Sequence, residues 1–546
     1  MSAIKLLSLS VLFASFTVFA QQNQAKSFSL SEKIKVQPNA TAFVSGETLY
    51  YKMYCLDSRN QASQLSKMGY VALVGRDKKP VFIQKLFLEN GSAAGDFFVP
   101  TSIASGNYKL VGYTNWRIGK PETLFSTDIV IVNPFSSESD KVENGAFTLK
   151  ARSASGAIST SKTKFATREK IEILTKLQQK GNYSLTVRKV DSLSLLADFP
   201  SGFNTANYIT NKTSALPELR GETVSGKIVD KSGNSAADQI VSLAFPGKNF
   251  ASKIAKTDKS GNFRFTIENP YFNKESLLQV AGENRQDFTI KLDDVKTPDF
   301  SSLDFPAYTV SAWAKKSVEA RSVSNQIENA YYKHHRDSVL AFPDYDVFYA
   351  KSGTVYKLDN YTRFPTLTET LTEVLEESYY EKKGDNYAIV LREHIIGYDS
   401  TGESGVFVDG IWLSNLNEIF EYPTKNIDRI TTIPGYYYVG PMGFNGLVSI
   451  QTKDGNYDLK AKGTHILRDA ISRPAAPKRH FLADYSSASS SRIPDYRYQL
   501  AWIPKLASEA SISFFASDVK GTFEAILEGI SEDGTAVYEV ATFEVN

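Results

Sequence analysis

Hydrophobic and polar positions alternate along most of this chain, at the period of two that turns one face of a strand to a core. Between Ile34 and Pro134 the turn Ser45-Gly46 precedes a strand from Thr48 to Leu56, and Tyr70 to Val74 is followed by the polar turn Arg76-Asp77-Lys78-Lys79. Gly95 to Pro100 and Gly106 to Tyr113 continue the alternation. About seven such runs in this length predict a β-sandwich. Phe147 to Ala151, Lys170 to Lys176 and Tyr183 to Asp191 predict a second, smaller one, and Ser201 to Leu216, polar and without period, reads as a linker. A third sandwich is predicted around the polar turns Asp230 to Asn234 and Asp258 to Asn262, with Phe263 and Phe265 on one face.

The period then changes. Ala312, Ala314, Val318, Ala320, Val323, Ile327 and Ala330 recur at helical spacing and predict a helix with those residues inward. Thr366 with Glu369 three residues on is a capping box opening a second helix. Val406 to Leu413 is an apolar strand broken by Asp409-Gly410, a dipeptide suited to the positive backbone angles of a tight hairpin turn. Ile427, Ile430 and Ile433 at spacing three suggest a brief helical turn or an edge segment. Gly435 then releases the chain into Tyr436-Tyr437-Tyr438 and the glycines Gly440, Gly443 and Gly446, and Leu447 to Thr452 closes as a strand. Tyr496 to Trp502, Ile512 to Ala516, Thr522 to Leu527 and Val537 to Val545 predict a final β module with Asp533-Gly534 as its turn.

Three of these stretches resemble known families. The segments GVFVDGIWL and IDRITTIPGYYYVGPMGFNGLVSIQTKDG, in that order, resemble the plug of TonB-dependent receptors. That family's plug sits in a barrel of roughly 22 strands of about 9 to 11 residues each. Only 91 residues follow Gly455, and they include Pro474-Ala475-Ala476-Pro477 and the serine run 486–491, so a plug without its barrel is expected. SGETLYYK and SGNYKLVGYT look like the macroglobulin-like domains of the α2-macroglobulin superfamily; the thioester cysteine-glutamine motif is missing, so protease trapping is not implied. VSGKIVDKSGNSAADQIVSLAF with TDKSGNFRFTI resembles the carboxypeptidase regulatory-like domain, a seven-stranded sandwich without catalysis of its own. The whole order looks like a family of exported Gram-negative proteins.

The expected fold is therefore mainly β and multidomain: tandem β-sandwiches followed by an α+β plug-like domain and a small C-terminal β domain. The expected divisions are a signal peptide at 1–20, a macroglobulin-like sandwich at 21–136, a second sandwich at 137–200, a linker at 201–220 and a regulatory-like sandwich at 221–296. A helical connector at 297–340, the plug-like domain at 341–456, and a linker with the C-terminal β domain at 457–546 complete the order. Composition agrees, with 29 Tyr and 34 Phe against 4 Met. The net charge of +2, from 62 basic and 60 acidic residues, points to no nucleic-acid partner. Lys5, the apolar run Leu6 to Phe19 and the small residue Ala20 read as a secretory signal, so the protein is expected to be exported, to the periplasm, the outer membrane or the cell surface, with no transmembrane helix after signal removal. Cys55, the only cysteine, lies too far in for lipidation and reads as a core residue.

Candidate chemistry is sparse. Adjacent His334 and His335 point about 100 degrees apart on a helix and cannot chelate one ion together, which leaves them as a solvated helix end. His394, His465 and His480 lie far apart, so no metal site is expected. No Gly-x-Ser-x-Gly elbow or phosphate-cradling loop with Lys occurs, and no cofactor is expected. Asp230, Asp258 and Asp409 read as turn residues. Trp412, Tyr436, Tyr437, Tyr438 and Phe444 are the candidate partner-binding residues, because tyrosine joins a large contact area to a polar tip. Strand alternation buries Tyr437 and exposes its neighbours, or the reverse. The reading that follows is a non-enzymatic exported binding or assembly protein whose plug-like domain docks an outer-membrane or periplasmic protein, a separate β-barrel among the options. Its alternatives are an accessory of TonB-dependent nutrient uptake, with SFSLSEKIKVQ as coupling box, and a surface-exported carbohydrate- or peptide-binding protein. An enzymatic reading would rest only on the company the regulatory-like domain keeps in other proteins, and loss of hydrolysis of some substrate on Asp409→Ala would revive it.

Overall fold

The computed structural model describes residues 31–117, 124–136, 142–143, 156–195, 209–210, 218–271, 273, 275–341, 345, 347–349, 353–392, 402–486 and 492–546. The signal peptide, the Phe147 to Ala151 strand, most of the linker and His394 lie outside them. The protein is mainly β and multidomain, and its sandwiches are nested rather than strung in series.

The first sandwich packs one sheet, ordered Ile209–Thr210, Ser31–Pro38, Thr48–Leu56, Ser92–Phe98, on a second, ordered Ala42–Val44, Phe125–Val132, Gly106–Tyr113, Met68–Val74, Pro80–Phe87. Between them lie Val36, Phe43, Tyr51, Met53, Cys55, Leu73 and Ile131. Cys55 is buried there as a small apolar residue.

The stretches expected as a separate second sandwich and a separate C-terminal domain form one body. Strand Gly181–Lys189 pairs on one side with Gln499–Leu506 and on the other with Gly521–Ser531, and Lys170–Lys176 in the facing sheet pairs with Glu509–Phe515. The reason is burial. The alternating face of Lys170–Lys176, with Ile171 and Ile173, shares one core with Leu185, Val187, Leu500, Phe514, Phe523 and Phe543, an area neither half supplies alone. The Asp533-Gly534 turn joins two of its long strands as expected.

The third sandwich faces Asn262–Ile267, Glu222–Asp230 and Phe288–Leu292 against Ala251–Lys256, Ile240–Phe245, Leu277–Val280 and Ile466–Arg468. That makes seven strands, but the last comes from beyond the 221–296 division. The chain leaves this sandwich, builds the next unit and returns to finish it.

That next unit is a mixed five-stranded sheet ordered Thr354–Lys357, Ile427–Val439, Met442–Thr452, Gly405–Val408, Ile411–Leu413, with Gly405–Val408 parallel to Met442–Thr452. The Asp409-Gly410 hairpin turn has φ of 47° and 89° at its two residues, the doubly positive geometry that Asp-Gly tolerates. Helix Leu367–Glu373 carries the expected capping box, Thr366 Oγ accepting from the Glu369 N–H at 3.2 Å while the Glu369 carboxylate accepts from the Thr366 N–H at 3.1 Å. Leu367, Leu371, Ile389, Val408, Ile430 and Ile450 fill the core beneath the sheet. The isoleucine stretch is neither a helical turn nor an edge: Ile427–Val439 is an interior strand, and irregular register between Ile427 and Arg429 and between Ile433 and Tyr436 breaks its period of two.

Helix Lys315–Ala330 overturns its sequence reading most sharply. Val323, assigned to the apolar face, is 56% exposed, whereas Arg321 is 1% exposed. An ion network decides the orientation. Arg321 donates to both carboxylate oxygens of Asp191 at 2.7 and 2.5 Å and to the Ala42 carbonyl at 3.1 Å, and Glu47 bridges it to Arg188, which donates to Glu47 at 2.7 Å. Helix, first sandwich and composite sandwich meet at these four charges. Burial pulls the Arg321 guanidinium down, but Asp191 and Glu47 outweigh it and hold the group above its ordinary value. No helix among the described residues is long and apolar enough to cross a membrane.

Removing one member of such a network strands the others without a partner. Arg321→Ala is expected to cost about 3–5 kcal/mol in urea unfolding. A pH effect follows from two buried carboxyls, Glu218 at the junction of the first and third sandwiches and Glu528 beside Lys35. Burial pushes each up to about 7. Because the folded protein holds these protons more tightly than the unfolded chain, stability is fully present below the usual glutamate value of about 4.5 and is lost as pH rises towards about 7. Glu218→Gln should remove about half of that slope in melting temperatures recorded from pH 4.5 to 8; an unchanged slope would exclude Glu218 as its source.

Candidate functional site

The five aromatic candidates divide between two environments. Tyr436, Tyr437 and Tyr438 lie on the outer part of strand Ile427–Val439, which extends with Met442–Asn445 beyond the rest of the sheet. Alternation takes the first of its two options: Tyr437 turns inward, its hydroxyl 3.4 Å from the Phe348 carbonyl, while Tyr436 and Tyr438 are 61% and 67% exposed. The two exposed rings stand edge to face, centroids 5.0 Å apart at 76°. Gly443 lies across the ladder from Tyr438, and a side chain there would collide with the Tyr436 ring, so this glycine makes the room.

Trp412 and Phe444 are not surface residues. They are buried with Ile254, Phe407, Ile433, Val439 and Leu447 in an apolar cluster joining the mixed sheet to the third sandwich. Their rings meet edge to face at 5.5 Å, and the Trp412 carbonyl accepts from Gln279 Nε2 at 2.6 Å. At the hairpin turn Gly440 has φ of 58°, and a Cβ there would sit 2.2 Å from the Ile254 carbonyl oxygen. The extension is thus seated on the third sandwich at its tip and packed at its base, presenting two tyrosines from a stiff support.

Asp409 is fully buried and enclosed by its own chain. Its carboxylate accepts from the Thr452 N–H at 2.8 Å, the Thr452 hydroxyl at 2.5 Å and the Tyr457 N–H at 3.0 Å. Burial pushes it above the usual range against those three donors. The group clamps the hairpin turn to the end of the closing strand. Asp230, half-buried, and Asp258, exposed, are turn residues, each accepting from backbone N–H groups two and four residues on, which holds both below their usual values.

His334 is exposed at its helix end, but its neighbour is not. His335 folds back onto Glu328, Nδ1 to carboxylate 2.8 Å, and packs on Phe481. This brings Glu328, His335 and Asp495 ligand atoms within 4.8 Å of one another, a grouping that sequence spacing does not reveal. Asp495, however, receives a bidentate Arg497 at 2.7 Å through each oxygen. A divalent cation there would face a buried guanidinium, so the cluster reads as an ion pair with a histidine beside it. His480 Nδ1 lies 2.8 Å from Asp337, and His465 is buried, which holds its imidazole below the ordinary value.

No protein-family model matches this chain, and no curated protein does. Its structural neighbours include bacterial macroglobulins. A Salmonella alpha-2-macroglobulin reacted with methylamine aligns over 94% of this chain and 23% of its own, at 10% identity and a TM-score of 0.16. Trypsin-activated alpha-2-macroglobulin from Escherichia coli aligns over 95% of this chain and 42% of its own, at 10% identity and a TM-score of 0.23. The D0-D1 domain of Intimin aligns over 48% of this chain and 93% of its own, at 11% identity and a TM-score of 0.15. This chain spans less than half the length of those macroglobulins, and superpositions this loose define no shared arrangement of domains.

The two environments separate by mutation. Trp412→Ala should cost about 3–5 kcal/mol in unfolding, because it opens a cavity at the joint. Asp409→Ala should likewise lower the melting temperature, by leaving two N–H groups and a hydroxyl unpaired. Neither loss is expected from substitutions at Tyr436 or Tyr438.

Proposed function

We propose that the chain is a non-enzymatic exported binding protein of the cell envelope, in which the sandwiches act as a scaffold and the plug-like unit docks a partner protein through Tyr436 and Tyr438. One observation carries the reading: two large amphipathic rings, side by side and exposed, stand on a hairpin whose base and tip are both held by packing. Rigid aromatic anchors of this kind dominate interface energetics because little side-chain entropy is lost when they are covered. The resemblance of this unit to a receptor plug supports an outer-membrane or periplasmic partner, a separate β-barrel included. The non-enzymatic part is supported by Asp230 and Asp258, whose carboxylates are engaged by their own turns, and by Asp409, whose carboxylate is engaged by Thr452 and Tyr457.

The test compares wild type with Tyr436→Ala/Tyr438→Ala in pull-downs from detergent-solubilised outer membranes. The double variant should melt as wild type does, within about 0.5 kcal/mol, as exposed substitutions usually do. It should also lose a protein that wild type retains. Equal recovery by both, or wild type found solely as a free periplasmic monomer, would overturn the docking role.

A further inference from the structure

Where the first sandwich meets the composite one, a buried lysine touches an amide rather than an acid. On strand Thr48–Leu56, Tyr51, Met53 and Cys55 fill the core of the first sandwich, so Lys52 and Tyr54 turn the other way, toward the composite sandwich. On strand Gly181–Lys189, Tyr183, Leu185 and Val187 fill the composite core, so Asn182 and Ser184 face back. Two alternations, each fixed by its own core, bring Lys52 and Asn182 together across the joint.

The contact is close. Lys52 Nζ donates to Asn182 Oδ1 at 2.6 Å and to the Tyr183 carbonyl at 3.0 Å, and it lies 4.7 Å from the centre of the Tyr54 ring. A carbonyl bond is about 1.23 Å long, so the Asn182 amide carbon is within about 3.8 Å of the lysine nitrogen. Reacting groups combine from an approach of about 3 to 3.5 Å, which a small rotation of the Asn182 amide supplies. The other end of that amide is held too, Asn182 Nδ2 donating to Ser92 Oγ at 2.7 Å.

An ammonium group cannot attack a carbonyl carbon, but a neutral amine can. Lys52 is 2% exposed, and burial holds its amine well below the ordinary lysine value. Of the charges facing it, Glu528 works against that shift and Lys505 works with it. Glu528 sits diagonally from Asn182 on strand Gly521–Ser531, through its pairing with Ser184, and is already matched with Lys35. Its own carboxyl is pushed up to about 7 by burial, which makes it a weak counter-charge for Lys52. Lys35 and Lys85, also buried, each meet a carboxylate directly, whereas among the described residues Lys52 meets only neutral acceptors.

We propose that Lys52 and Asn182 react to form an amide cross-link between the two sandwiches. Lys52 Nζ adds to Asn182 Cγ, the Cγ–Nδ2 bond breaks, and Nδ2 leaves as ammonia. The proton released from Nζ goes to the leaving nitrogen, which the Ser92 hydroxyl contacts. Nothing is oxidised or reduced, and no co-reactant is consumed. Lys52, Ser92 and Asn182 line one cavity of about 1020 Å³, which gives the ammonia room to leave. The bond closes a loop of 130 residues and locks a joint that Arg188 with Glu47 and Lys35 with Glu528 otherwise hold by charge. It forms once per chain, without turnover, and is independent of the tyrosine hairpin.

Tryptic peptides of the purified and denatured full chain, read by mass spectrometry, test this. Wild type should yield one branched peptide carrying both Lys52 and Asn182, lighter than its two parts by one ammonia and uncut after Lys52. Lys52→Arg, whose guanidinium is not a nucleophile, should yield only separate linear peptides, and so should Asn182→Ala. Both variants should also migrate more slowly than wild type in denaturing gels, because the 130-residue loop is then open. Separate wild-type peptides, cut after Lys52 and with Asn182 intact, would overturn the proposal, as would a branched peptide that survives either substitution. The wild-type digest decides even if a variant fails to fold.

Discussion

Strand Gly181–Lys189 is hydrogen-bonded on both sides by strands that the chain supplies only near its end; Ser184 and the Glu528 carbonyl it contacts lie 344 positions apart. Everything between is an excursion whose two ends are fixed by one sheet. A loop of that size adds little to the entropy of closure once its interior is folded, since the cost grows only with the logarithm of length. The third sandwich repeats the device on a smaller scale, leaving at Phe288–Leu292 and finishing with Ile466–Arg468 after the mixed sheet is built. The mixed-sheet unit is thus held at both of its ends by a body that is itself held at both ends.

The joints between these bodies are of two kinds. First and composite sandwiches meet through the pairs Arg188 with Glu47 and Lys35 with Glu528, and the helix joins the composite sandwich through Arg321 and Asp191. Buried pairs of this sort gain little over an apolar replacement, yet are costly when one member is lost, so they fix which surfaces meet. The third sandwich and the mixed sheet meet through apolar rings, with Trp412, Phe444 and Phe407 packed on Ile254. Such a joint excludes water and stiffens the hairpin that rises from it.

One exposed feature stands out against that scaffold, the paired rings of Tyr436 and Tyr438. Rings with polar tips suit contact with a folded surface, since they join a large apolar area to a hydrogen-bonding end.

The local features were legible in the residues. Asp409-Gly410 needs positive φ at both positions, Thr366 with Glu369 satisfies its own helix end, and alternating apolar residues mark strands, because each of these depends on neighbours within a few positions. The protruding tyrosines were legible as an aromatic cluster, though not which ring turned inward. Trp412 and Phe444 share that composition, and only the arrival of Ile254 from another sandwich made them core. Helix Lys315–Ala330 shows the limit most clearly, since its apolar spacing pointed to one face and Arg321, paired with Asp191 in the loop after a distant strand, chose another. The sequence by itself determined strands, turns and caps, whose energies are short-ranged along the chain. Which strands share a sheet and which charges meet were decided by tertiary structure, because those energies depend on residues hundreds of positions apart.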